Sequence, residues 1–219
     1  MTIRPTKPGP WDREPDADHW IDADTGLPCN LLRGPFWAWN GYVGIEPGHP
    51  LHGLHHNDPV PQWAVDPARQ RLSSDVNLDN VDVFTLLQAA VRGGGVENIT
   101  FGTLIDVHGG LSWSGPLSQL KPPDYWQFGF DCGHGGDLQP SLPPLPPKTQ
   151  RLFDGCIESM LGQLQPHERT AMKRMAAEQK YRTHAYAQRQ CGLLARQLYA
   201  LSEIADTARI AALSEGKPA

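Results

Sequence analysis

The sequence predicts an α+β fold: a small mixed or antiparallel sheet with glycine-rich loops, and a long C-terminal helix laid on it. Three observations carry this. "WNGYVGI" at 39–45 has the aromatic and β-branched content of a strand, and the aromatic-rich "DYWQFGFDC" at 124–132 is a second strand candidate. Leu194, Leu198, Leu201, Ala205, Ala208 and Ala212 recur every three or four residues and make one apolar stripe along a helix. Finally, 22 Gly and 21 Pro in 219 residues demand much irregular loop, while seven Trp, six Phe and five Tyr supply the burial that ordering such a chain requires.

Residues 1–35 are rich in Pro, Asp and Gly without clear periodicity, and read as an extended arm that ends in an apolar contact at Leu31 and Leu32. A core domain is expected over 36–140. It opens with the strand at 39–45 and turns at "EPGHPLHG", after which His49, His52, His55 and His56 crowd one loop. Residues 57–80 read as loop. Val83, Leu86, Leu87, Ala90 and Val91 fit a short helix over 81–92, stopped by Gly93, Gly94 and Gly95, with a strand as the competing reading because of the β-branched content. "NITFGTLIDVHGGLSWSG" alternates as a strand running into a glycine turn, and the strand at 124–132 follows it. These two strands are expected to bring their C-terminal ends side by side.

Beyond the core, 141–182 reads as a proline-rich linker with a variable helical insertion. "LQPSLPPLPPKTQR" at 138–151 is expected to be extended and polyproline-like, with helices over 150–162 and 166–180. The C-terminal helix over 183–214 packs its apolar stripe on the core, with a dimer seam as the alternative.

The formal net charge of −5 removes the broad attraction that nonspecific nucleic-acid binders use, and Lys173, Arg174, Lys180 and Arg182 read as a solvated helix face. Cys29, Cys132, Cys156 and Cys191 are scattered without a C-x-x-C pair, so free thiols are expected. No apolar run approaches the roughly 20 residues of a membrane helix, and no signal peptide opens the chain. A cytoplasmic protein without membrane partners is the expectation.

Two segments carry candidate chemistry. "IDVHGGLSWSG" at 105–115 and "FGFDCGHGGD" at 128–137 gather His108, Ser112, Ser114, Asp131, Cys132, His134 and Asp137 among glycines. Glycines let the backbone approach a ligand closely, and successive amides form an anion-binding concavity. On this reading His108, Gly109, Gly110, Ser112, Ser114, Asp131, His134 and Asp137 grip a phosphorylated small molecule or nucleotide. Trp113 or Trp126 stacks on its base, and His49 and Tyr42 close over the site. No Walker loop and no G-x-G-x-x-G is present. A second reading makes His108, Asp131, His134 and Asp137 ligands of a divalent metal ion that hydrolyses a phosphoester or amide. Cys132 as a nucleophile competes with a plain buried thiol, which is the better-supported role. Asp131 and Asp137 can also do no more than cap their own glycine turns.

The blocks "GYVGIEPGHPLHG", "VHGGLSWSG", "FGFDCGHGGD" and "YRTHAYAQRQCGLLARQL", in this order, resemble a family of small proteins of phages, prophages and bacterial genomes. The resemblance covers 29–56, 104–138 and 181–200, while the proline-rich 141–180 departs from it. Its recurring positions fall on Tyr42, Gly44, Gly48, His49, Pro50, Gly53, His108, Gly109, Gly110, Gly115, Phe130, Asp131, His134 and Asp137. It implies an accessory role in a host cytoplasm, such as counter-defence by sequestering or degrading a host nucleotide, or by blocking a host protein through aromatic loops and the helix. It brings no particular activity with it.

Overall fold

The computed structural model describes residues 2–67, 100–120, 122, 124–134, 136–143, 146–162, 165–166, 170 and 179–214. Five strands, β1 (Ala17–Ile21), β2 (Pro28–Arg33), β3 (Trp39–Ile45), β4 (Trp113–Pro116) and β5 (Trp126–Asp131), form one sheet in the order β1-β2-β3-β5-β4. Every neighbouring pair is antiparallel. Two helices follow, α1 (Pro147–Leu161) and α2 (His184–Ser214). The α+β class read from the sequence is therefore the observed one.

The segment expected to be an extended arm instead supplies β1 and β2. Its polar look has a simple cause: β1 is an edge strand, mostly exposed, so it never needed an apolar alternation. A hairpin turn joins the two strands, in which the Asp22 carboxylate accepts from Thr25 N (3.1 Å) and Thr25 Oγ1 (2.8 Å).

The stretch before the glycines at 109–110 also departs from the expected strand. Among the described residues no strand precedes them; Phe101–Leu104 is a 3-10 turn, and β4 begins after them at Trp113. The amides of Phe101 and Gly102 go to Asp58 O and His56 O (2.8 Å each), which turns the backbone outward to the 55–58 loop. Phe101, Leu104, Ile105 and Val107 do enter the core, so the apolar pattern was real but came from tertiary burial. Helix α1 begins at Pro147, inside the stretch expected to be extended linker. The helix expected over 81–92 lies outside the described residues, as does most of the one over 166–180.

Alternation along the strands separates two faces. Cys29, Leu31, Val43, Ile45, Phe128 and Phe130 point to the core, where Ala187, Cys191, Leu194, Ala195 and Leu198 of α2 cover them. Glycine at 41 lets helix and sheet meet: a Cβ there would lie 2.8 Å from the Cys191 sulfur. Asn40, Tyr42, Trp113 and Asp131 belong to the other face, which carries a groove.

The start of α2 is held from two sides. Thr183 caps it by accepting from Tyr186 N (3.2 Å), and the Glu14 carboxylate accepts from His184 N (2.8 Å). The same carboxylate takes Arg33 (2.8 Å), Trp39 Nε1 (3.2 Å) and the Tyr181 hydroxyl. Lys180 bonds Gly136 and Leu138 through its backbone (3.0 Å each), which clips the residues before α2 to the segment after β5. These ties fix where Arg182 and Tyr186 emerge.

Candidate functional site: a histidine-aspartate cluster beside a groove

Antiparallel pairing of β4 with β5 puts the loop before β4 against the loop after β5. The two glycine segments do meet, but through the N-terminal end of one strand and the C-terminal end of the other. The loop before β4 is clamped by α2. Gln190 accepts from His108 N (3.0 Å), and Gln197, two helical turns on, accepts from Asp106 N (2.7 Å) and donates to Asp106 O (2.9 Å).

His108 is buried and held at both ring nitrogens, with Nε2 2.7 Å from Asp137 Oδ2 and Nδ1 3.0 Å from the Tyr186 hydroxyl. An ionised carboxylate only accepts, so Nε2 carries a proton and donates it to Asp137, while Nδ1 shares a hydrogen bond with the Tyr186 hydroxyl. Asp137 is 3% exposed and accepts three further contacts: Arg182 Nε at 2.6 Å, His134 N at 3.1 Å and, more distantly, the His134 ring at 3.7 Å. Burial alone would push its carboxyl up, but the hydrogen bonds from His108, His134 and Arg182 outweigh it and hold it well below the usual carboxylate range. Arg182 is shifted the opposite way: burial would lower it, and Asp137 raises it.

His134 stands edge-on to His108 at 5.3 Å between ring centroids, packed directly over the backbone of Gly109, which has φ +67°. One donor atom from each of His108, His134 and Asp137 lies within 4.8 Å of the other two. Ligands of a tetrahedral ion at ~2.1 Å stand about 3.4 Å apart, so admitting one means parting His108 Nε2 from Asp137 Oδ2, now 2.7 Å apart and hydrogen-bonded, by under about 1 Å. Two imidazoles and a carboxylate fit zinc and similar divalent ions.

Of the four residues proposed as metal ligands from sequence, these three converge and Asp131 does not. Its Oδ1 accepts from Gly133 N (2.9 Å) and lies 3.8 Å from His134 Nδ1, at the rim where the cluster meets the groove. Gly110 N bonds Val107 O (2.8 Å) in the turn after His108, so that amide serves the backbone. Ser112, Tyr42 and Trp113 line the groove. Burial pushes the Tyr42 phenol up, with the Asp131 charge adding to it against the Asn40 hydrogen bond, so it stays protonated.

Ser114 and His49 are not brought to the cluster. Ser114 points to the opposite face from Trp113, as alternation requires, and accepts from His56 N (2.9 Å). His49 accepts from Leu51 N (3.2 Å) in its turn, and its charged neighbours are Asp206 and Glu46. Trp126 donates to Leu54 O (2.9 Å) and packs on His52 and His55, which removes it as a stacking platform. Cys132 is buried, and burial with the Asp137 and Asp131 charges raises its thiol well above the usual value, so it is no thiolate nucleophile.

The sequence reading missed Arg182, Tyr186 and Gln190. A partial signal existed: Tyr186 and Gln190, four residues apart in the first turns of a helix, present one face, and Arg182 stands four residues before Tyr186, just ahead of the cap. Their partners are 45, 78 and 82 positions away, which no local pattern encodes.

Compared with protein-family models, curated proteins and solved structures, the chain matches none. What fold and site define is an antiparallel-sheet α+β protein with a cluster of two histidines and one aspartate at the edge of a groove. No helix among the described residues is long and apolar enough to cross a membrane.

Proposed function

We propose that His108, His134 and Asp137 hold a divalent metal ion, zinc or a similar ion, and that the protein hydrolyses a phosphorylated small molecule there. The convergence of their three donor atoms within 4.8 Å carries this reading. A bound ion of this kind polarises a phosphoryl oxygen and makes water acidic enough to attack at neutral pH. To ligate through Nε2, His108 would give up its hydrogen bond to Asp137 and carry its proton on Nδ1, donating it to the Tyr186 oxygen, which would then orient the ring. Asp137 stays ionised and keeps Oδ1 on Arg182.

The electrostatics favour the metal over a bare anion site. Asp131 and Asp137 set two carboxylates beside the glycine turns, and these repel an uncompensated phosphate. A divalent cation reverses that sign, with Arg182 as a fixed positive charge alongside. The phage-type order of motifs supports an accessory setting in which a host nucleotide is degraded or sequestered.

Metal analysis of the purified full-length protein tests the reading. Stoichiometric zinc or manganese is expected, with loss of the ion and an unchanged circular dichroism spectrum in His134→Ala. A protein that takes up none of these ions at micromolar concentration would rule it out.

A further inference from the structure

The open face of the sheet carries a groove of about 380 Å³, lined in part by Asn40, Tyr42, Ser112, Trp113 and Asp131. Its shape follows from the strand register. Trp113, Gly129 and Tyr42 are directly paired across β4, β5 and β3, so two aromatic residues flank a glycine on one face. A Cβ on Gly129 would lie 2.5 Å from Tyr42 Cδ1, so the Tyr42 ring lies across the notch that glycine leaves. Trp113 is 41% exposed, and its ring reaches along β4 to within 3.7 Å of where a side chain on Gly115 would begin. An aromatic surface left open beside a notch is a stacking platform.

The next same-face pair toward the cluster is Asn40 with Asp131. From Gly129 to Asp131 the strand advances about 6.8 Å, the scale of one ribose. Beyond Asp131 stands His134, 3.8 Å from its carboxylate. Along one line the face thus offers an aromatic plane, then an amide and a carboxylate, then His134, the partly exposed member of a cluster whose His108 and Asp137 are buried. A nucleotide presents the complementary order: base, hydroxyl-bearing sugar, phosphate.

We propose that this groove seats a nucleoside monophosphate, with the base on Trp113, the ribose hydroxyls on Asp131 and Asn40, and the phosphate at His108, His134 and Asp137. The proposal deepens the metal reading above, on which only its phosphate end rests. The substrate class is set by the groove, through stacking and sugar contacts that need no metal.

Isothermal titration of the full-length protein with AMP, GMP, CMP, UMP and ribose 5-phosphate, in zinc and again in EDTA, tests it. At least one nucleotide is expected to bind tenfold or more tightly than ribose 5-phosphate. Trp113→Ala is expected to weaken that nucleotide by at least about tenfold while zinc uptake and melting temperature stay as in the parent, and Trp113→Phe to recover part of the loss. Equal binding of ribose 5-phosphate, or an unaltered affinity in Trp113→Ala, would overturn the proposal. Zinc uptake without binding of any nucleotide would also overturn it and leave the metal reading standing. Trp113-dependent nucleotide binding in EDTA by a protein that takes up no metal would uphold the groove and remove the metal reading.

Discussion

The imidazole of His134 occupies the space that a side chain on Gly109 would need; a Cβ built there would overlap the ring. Gly109 also has φ +67°, a conformation other residues adopt at a cost. One residue therefore supplies both the turn after His108 and the close approach of the second histidine.

Gly109→Ala is expected to displace the His134 ring and destabilise the protein by about 1–3 kcal/mol through backbone strain and the clash. Zinc affinity, measured by competition with a chromophoric chelator, should fall by about 10–100-fold. An alanine variant that binds zinc as the parent does would show that His134 is not a ligand.

Tyr186→Phe removes the hydroxyl that holds His108 Nδ1 while keeping the ring over which the Arg182 guanidinium sits at 4.9 Å. Loss of such an orienting partner typically costs ~10–100-fold in metal affinity. The same chelator competition checks this, and circular dichroism should report an intact α2. A merely structural Tyr186 would instead lower the melting temperature and leave zinc binding alone.

Glu14 gives a pH dependence with a definite sign. Burial raises its carboxyl, but hydrogen bonds from Tyr181, His184 N, Arg33 and Trp39 outweigh this, and the net shift is downward. A group lowered in the folded state contributes stability above its unfolded value of about 4.3, and that contribution is lost as pH falls through the folded value. Glu14→Gln should cost about 2 kcal/mol at pH 7. It should also flatten the acid limb of stability below about pH 4. Urea denaturation at a series of pH values measures both, and an acid limb as steep as the parent's would remove Glu14 as its source.

Strand β3 was legible in the sequence from its first residue to its last, and β5 within a residue or two, because both are central and carry large apolar residues, aromatic and β-branched in β3 and aromatic in β5. Edge strand β1 was not, since half-exposed residues such as Asp18 and His19 carry no burial signal. The stretch 101–107 misled for the converse reason: its apolar residues answer to the core and to the 55–58 loop rather than to a ladder. At the site, Asp131, His134 and Asp137 stood out through their density among glycines. That Asp131 turns toward the groove while Asp137 is buried under Arg182 depends on contacts made far along the chain.

By itself the sequence determined the α+β class, the central strands and the stripe of α2, because these follow from local periodicity and composition. The tertiary structure decided which polar residues face each other. Antiparallel register placed Trp113 across Gly129 from Tyr42 and sent Ser114 to the other face. The packing of α2 delivered Arg182, Tyr186 and Gln190 to Asp137 and His108. Convergence of side chains is set by strand pairing and helix docking across tens of residues, and neither is written in the spacing of the residues that converge.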